Sequence, residues 1–321
     1  MGGVRRRVPA RRRGAPARSA REPHDRGKRL FADRRISADG SLSCASCHVA
    51  SLAFTDGRPV PLGVGGAELR RNAPTLLNVG LVEDLFHDGR APSLEEQARQ
   101  VFLNPLELGW PDAEEPARQI ASIAEYPPLF EAAFGSPDVT LQRILRAIAA
   151  FERTPLSGDS PFARWWRGDT AALSAEQERG YRLFIGDAGC VQCHSIRQSH
   201  ATFSDGRFHN TGAGAEVREG LPDDAGKADP GRFAITGRDE DRGAFRTPTL
   251  RNVELTGPYM HDGSLATLEE VVDFYVDGGG ANAHLSPLIR PLELDEADRA
   301  ALVAFLRALT SPELPALDEC D

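Results

Sequence analysis

Long hydrophobic runs are missing from this chain. No apolar stretch approaches the roughly 20 residues of a membrane-spanning helix, so no span is expected. Methionine is nearly absent, with Met260 the only one after Met1. Cysteine is scarce. Four of the five form two Cys-x-x-Cys pairs, and Cys320, one residue from the end, is expected to be an exposed thiol without a role. Histidine is absent between His48 and His87. Hydrophobic residues are 40% and aromatics 7% of 321 positions, which suits a globular protein long enough for two domains, each with its own core.

The net charge of −9 is unevenly placed. Residues 1–26 hold nine Arg against Glu22 and Asp25, about +7, which leaves about −16 on the rest. An acidic body argues against nucleic acid and favours a basic protein partner, although a generic solvated surface accounts for it equally well. Residues 1–25 are expected to be a disordered basic tail.

What is present is Cys44-Ala45-Ser46-Cys47-His48 and Cys190-Val191-Gln192-Cys193-His194. Cys-x-x-Cys-His is the pattern of covalent c-type haem attachment. The two sulfurs add across the haem vinyl groups, and the adjacent histidine lies under the iron as proximal ligand. The rival is one tetrahedral zinc centre of four thiolates. The pairs lie far apart for that, and each carries a histidine such a centre does not need. Haem attachment of this kind occurs outside the cytoplasm, so a periplasmic location is expected. Arg5-Arg6-Arg7 and Arg11-Arg12-Arg13 resemble the charged start of an export signal, but no apolar stretch follows. Either the start lies elsewhere or export is unusual.

The surroundings of the motifs repeat. Gly27 to Phe31 is echoed by Gly180 to Phe184, Phe54 to Arg58 by Phe203 to Arg207, and Ala73 to Val79 by Thr247 to Val253. Phe86 to Gly89 returns as Met260 to Gly263, and Ser93 to Glu96 as Thr267 to Glu270. Pro74 to His87 and Pro248 to His261 are both 13 residues, and equal spacings argue for duplication. Helices are predicted over 114–124, 140–153, 174–185 and 295–309. In the second of these Leu141, Ile144, Leu145, Ile148 and Phe151 share one face. Ser93/Glu96 and Ser174/Gln177 have capping-box spacing, the former opening a helix that ends near Leu103. Residues 157–169 read as a link whose Trp165-Trp166 pair either packs or carries electrons to a surface partner. Residues 212–244 read as a long loop.

On this frame the chain resembles the bacterial di-haem cytochrome c peroxidase and MauG family, from about Gly27 to Leu309. The stretches that carry the resemblance are Leu42 to His48, Asn72 to Thr75, Asp88 to Ala91, Asn104 to Glu107, Arg246 to Val253 and Tyr259 to Gly263. It implies a mostly α fold of two cytochrome c-like haem domains in tandem with long loops, here residues 26–160 and 161–321. It also implies hydrogen peroxide reduction at the N-terminal haem, held by Cys44, Cys47 and His48. The C-terminal haem, held by Cys190, Cys193 and His194, would relay electrons from a small cytochrome c or cupredoxin. In a MauG-like variant a protein substrate is oxidised instead. A homodimer is compatible with either reading.

Axial ligation separates the two sites. Well-known members close the N-terminal haem with a histidine from a Gly-rich loop. The matching place is about Val64, where there is none, so an open site is expected. The sixth ligand of the C-terminal haem falls on Tyr275, as in MauG-like members, with Met260 as rival. The resemblance further makes Glu107 the acid that moves a proton during O–O cleavage. His87 stands where well-known members place a Trp between the haems, and a satisfied structural histidine weighs equally there. A Ca²⁺ between the domains would take the side chain of Asn72 and the carbonyls of Thr256 and Pro258. His209 and Asn210 would support the second site. The alternative from another class is a non-enzymatic di-haem electron carrier, which needs both irons six-coordinate.

Overall fold

The computed structural model describes residues 22–196, 202–214, 228–315 and 317. Residues 1–21, His200 and Cys320 lie outside the described residues. The first unit holds α1 (Glu22–Ala32), α2 (Cys44–Cys47), α3 (Leu94–Leu103), α4 (Glu115–Ser122), α5 (Tyr126–Phe134) and α6 (Leu141–Glu152). The second holds α7 (Pro161–Trp166), α8 (Ala175–Ile185), α9 (Phe233–Thr236), α10 (Leu268–Val276) and α11 (Glu296–Arg307). Strands β1 (Phe208–His209) and β2 (Phe245–Arg246) pair antiparallel, Phe208 opposite Arg246.

Each unit is built on the same crossing of its first long helix with its last. Gly27 on α1 lies so close to α6 that a Cβ would sit 1.9 Å from the Ala147 carbonyl oxygen. Gly180 on α8 meets the Ala301 carbonyl of α11 at the same 1.9 Å. Only glycine permits backbones to approach this closely. Around each crossing a separate apolar core forms. Leu30, Phe31, Ile144, Ile148 and Phe151 centre the first, and Phe184, Phe203, Leu302 and Phe305 the second. Leu314 and Leu317, after α11, return to pack on the first core.

Several local expectations need correction. α1 begins at Glu22, inside the stretch read as a tail. Ser93 accepts the Glu96 N–H, but Glu96 turns its carboxylate to Arg99 (2.7 Å) and Gln100 (3.0 Å) instead of closing a capping box. The boxes at Ser174/Gln177 and Thr267/Glu270 are complete. The link contains α7, capped by Ser160. The expected loop contains α9 within its described part. α5, with proline in its first turn, was not anticipated.

The units meet through a reciprocal pair of backbone hydrogen bonds. Asn72 N–H donates to the His261 carbonyl, and Arg246 N–H donates to the His87 carbonyl, both at 2.7 Å. Asn72 and Arg246 are equivalent positions of the repeat, as are His87 and His261. A second matched pair, Asn78 and Asn252, is buried, left-handed in φ (62° and 58°), and grips Ser157 of the link from both sides.

Candidate active site

The two Cys-x-x-Cys-His motifs open into one continuous cavity of about 760 Å³ at the junction of the units. Its walls include all four motif cysteines, His48, His194, Glu107, Tyr275, His87, His261 and Met260. The histidines of the two motifs are set by one device used twice. The Nδ1 of His48 lies 3.0 Å from the Phe54 carbonyl, and that of His194 lies 2.8 Å from the Phe203 carbonyl. A carbonyl can only accept, so Nδ1 carries the proton and Nε2 keeps its lone pair for a metal. Phe54 and Phe203 hold these carbonyls in left-handed backbone, φ 60° and 53°, strained for a non-glycine residue. Burial lowers the pKa of both histidines and keeps them neutral.

Burial also raises the thiol pKa values, to about 11 for Cys47, Cys190 and Cys193 and further for Cys44. Neutral sulfur is favoured there, as in a thioether. The four-thiolate zinc centre is not formed. Among the described residues only Cys193, Asp205 and His209 bring three metal-binding side chains within 4.8 Å of one another. His209 Nε2 is engaged by Asp205 Oδ2 at 2.9 Å, behind the second motif.

The cavity fits haem on its polar side as well. Arg246 lines it, and burial lowers its pKa. The described hydrogen bonds of its side chain go to the carbonyls of Phe86 (3.5 Å) and Thr247 (3.3 Å), and the charge of Asp84 only partly offsets its burial. A haem propionate answers that need.

The distal walls differ. Tyr275, on α10, faces the second motif. Burial and then the neighbouring Cys190 and Cys193 raise its phenol pKa, which the Thr211 hydroxyl partly offsets. Fourteen residues separate His261 from Tyr275, and the residue fourteen beyond His87 on the equivalent helix α3 is Val101. Val101 also lines the cavity. The Gly-rich loop contributes Gly63 to the wall; Val64 is tied by its N–H to the Leu106 carbonyl, 3.1 Å. Glu107 lies in the same wall, with its pKa raised by burial against the opposing charge of Arg90 and a hydrogen bond to Asn104.

One ring nitrogen of His87 is committed to the junction. Its Nε2 lies 2.9 Å from the Asn72 carbonyl, so that nitrogen donates, and burial drives the ring pKa down to about 4. Its partner in the repeat, His261, stacks on Phe245 at 3.6 Å. Asn72 donates its side-chain amide to the carbonyls of Arg58 (2.8 Å) and Pro59 (3.2 Å), while Thr256 and Pro258 share the cavity wall with it. One site residue was missed. Glu152 is 5% exposed, lines the cavity with Cys44 nearby, and has no partner for Oε2 among the described residues. Burial raises its pKa to about 8. The signal was available, because Glu152 lies four residues after Ile148 and seven after Leu145 on the apolar face of α6.

A sequence profile described as di-haem cytochrome c peroxidase matches residues 22–171, and one described as cytochrome c matches residues 177–310. The methylamine utilization protein MauG of Methylorubrum extorquens is 40% identical over 297 residues, 90% of this chain and 80% of its own. The chain belongs to the di-haem cytochrome c peroxidase/MauG family. The cytochrome-c peroxidase IdrP1 of Denitromonas iodatirespirans is 38% identical over 309 residues, 89% of this chain and 81% of its own. The crystal structure of a MauG-like protein associated with microbial copper homeostasis superimposes with a TM-score of 0.79 at 36% identity, covering 91% of this chain and 90% of that one. As a member of this family the chain is a di-haem oxidoreductase of the peroxidase type, with covalent haem c in each of two tandem, mostly helical domains. No described helix is long and apolar enough to cross a membrane.

Proposed function

We propose that the protein reduces hydrogen peroxide at the haem of the first unit, in the MauG-like manner with its distal side open, using electrons relayed through the second. The observation that carries this reading is the pair Val101 and Tyr275. At equivalent places on α3 and α10, the first unit presents an apolar side chain and the second a phenol. An electron carrier needs both distal positions filled, and neither Val101 nor Val64, at the place in the Gly-rich loop from which well-known members close the first haem, can fill the first.

Cys44, Cys47 and His48 hold the first haem, and Cys190, Cys193, His194 and Tyr275 the second. When bound, haem supplies the iron that exchanges electrons with peroxide. The chain's own residues supply the rest. His48 and His194 offer Nε2 because the Phe54 and Phe203 carbonyls hold the other nitrogen's proton. Tyr275 offers a hard oxygen donor that favours oxidised iron. Glu107 takes a proton from one peroxide oxygen and returns it to the other as the bond breaks. Its desolvation suits the first half of that task, since a carboxylate with a raised pKa takes up a proton more readily than an exposed one. His87, kept neutral by burial with its Nε2–H given to the Asn72 carbonyl, joins the units by position and not by ionisation.

The domains divide at about residues 26–160 and 161–321. A calcium ion at the junction would take the Asn72 side-chain oxygen, whose amide nitrogen is already committed, and the carbonyls of Thr256 and Pro258. The donor is a small cytochrome c or cupredoxin, or the reaction is the oxidation of a protein substrate, in the periplasm.

A stopped-flow visible spectrum of the fully ferric protein mixed with stoichiometric peroxide tests the reading. A fast Soret change without reductant is expected. A change only after partial reduction defeats the open first site.

A further inference from the structure

The second unit contains a run of aromatic rings that its twin lacks. At the α1–α6 crossing of the first unit, Phe31 and Phe151 meet with centroids 4.9 Å apart, and the next position outward is Lys28. At the α8–α11 crossing, Phe184 and Phe305 take the same places at 5.1 Å. The residue matching Lys28 there is Tyr181, with Trp165 and Trp166 of α7 packed against it. The same crossing therefore forms in the first unit with no tyrosine or tryptophan at these positions, so packing alone does not call for them.

The rings make unbroken contact from solvent to the second motif. Trp166 is 44% exposed. Its centroid lies 6.5 Å from Trp165 and 6.4 Å from Tyr181, which are 5.2 Å from each other. Tyr181 lies 5.5 Å from Phe162, and Phe162 lies 5.4 Å from Phe203. The Phe203 carbonyl accepts the hydrogen bond of His194. Indole and phenol are the side chains most easily oxidised by one electron. Here three of them form the outer end of the run, and two phenylalanines bridge the short inner gap.

We propose that Trp166 is a surface electron-entry site where one-electron donors too bulky for the cavity, phenols and aromatic amines, are oxidised, with Trp165 and Tyr181 as relay. This rests on the reading of the second unit as the electron-delivering one. Peroxide takes two electrons and two protons to give two waters. Each electron leaves the Trp166–Trp165–Tyr181 group as a side-chain radical forms, its N–H or O–H proton going to solvent. A donor molecule at Trp166 then returns one electron, a proton from the donor or solvent restores the N–H or O–H, and the donor is itself oxidised by one electron, so two donors are consumed per peroxide.

The test uses the haem-loaded full chain with a bulky sulfonated benzothiazoline dye as donor, and Trp166→Phe, Trp166→Tyr and Trp165→Phe variants checked for unchanged thermal unfolding. Dye turnover should fall at least about tenfold in Trp166→Phe and Trp165→Phe and be largely retained in Trp166→Tyr. The stopped-flow peroxide reaction should be the same in all four proteins. Without donor, peptide mass spectrometry after peroxide should place covalent oxygen on Trp166, and on Trp165 or Tyr181 in Trp166→Phe. Unchanged dye turnover in Trp166→Phe, or oxygen added equally to the remote Trp110, overturns the proposal. A wild-type protein that shows no peroxide reaction overturns the reading beneath it and this proposal with it, whereas a normal peroxide reaction with unaffected dye turnover removes only the Trp166 site.

Discussion

The two units share a backbone and differ in what they aim at the cavity. Both cross two helices at a glycine, both hold the histidine of the motif through a left-handed phenylalanine carbonyl, and both carry left-handed residues at the same repeat positions, Phe86 with Met260 and Asn78 with Asn252. Against that constancy the divergent positions stand out. Val101 faces Tyr275 across the repeat, and Lys28 faces Tyr181. Glu107 belongs to the first unit's wall. A duplicated fold thus acts as its own control. What recurs serves folding and haem attachment, and what differs assigns the work.

The largest effect is expected from erasing the difference at its centre. Val101→Tyr should place a phenol at both distal positions and abolish the rapid Soret response to peroxide, while Tyr275→Val should preserve that response and shift the spectrum of the second haem. Retention of fast peroxide reactivity in Val101→Tyr would break the comparison. Next, Glu107→Gln should lower the peroxide rate about 10²–10⁴-fold with the ferric spectrum unchanged. The wild-type rate should rise with pH through the raised pKa of Glu107, because only the ionised carboxylate accepts the first proton. The Gln variant should lose that rise in a pH series of stopped-flow traces.

Glu152 sharpens the comparison on stability. Its folded pKa, about 8, stands above the ordinary 4.5. Between those values the unfolded chain ionises while the folded chain stays protonated, so stability falls as pH rises from about 4.5 to 8. Glu152→Gln should flatten that slope and gain roughly 2–4 kcal/mol at pH 8 in denaturant unfolding of the haem-loaded protein. No gain at pH 8 would show that the carboxyl finds a partner when haem is bound. Last, Gly27→Ala and Gly180→Ala should each cost at least about 1–3 kcal/mol by overpacking against a backbone carbonyl, and by similar amounts. Clearly unequal losses would show that one crossing has slackened since duplication.

Much of this was legible in the sequence because it is carried by short-range rules. The attachment motifs require fixed spacing, the caps at Ser174 and Thr267 follow local hydrogen bonding, and equal intervals announced the repeat. What stayed hidden depends on competition among neighbouring side chains or on contacts between distant segments. Glu96 forsakes its box because Arg99 and Gln100 lie one turn on. The engagement of His87 by the Asn72 carbonyl depends on how the junction folds. The Val101–Tyr275 equivalence lies in the spacing, but the meeting of both side chains in one wall depends on the fold.

The paired hydrogen bonds between Asn72 and His261 and between Arg246 and His87 carry one more consequence. Such an exchange, in which a patch meets its own copy, is the isologous contact of a two-fold symmetric dimer. Here both halves lie on one chain, with Ser157 held at the pivot. Their association is therefore intramolecular, and neither half is bound by symmetry. A substitution on one side of a true homodimer would appear twice, whereas in this chain it appears once, so a valine and a tyrosine can occupy the same place and do opposite things.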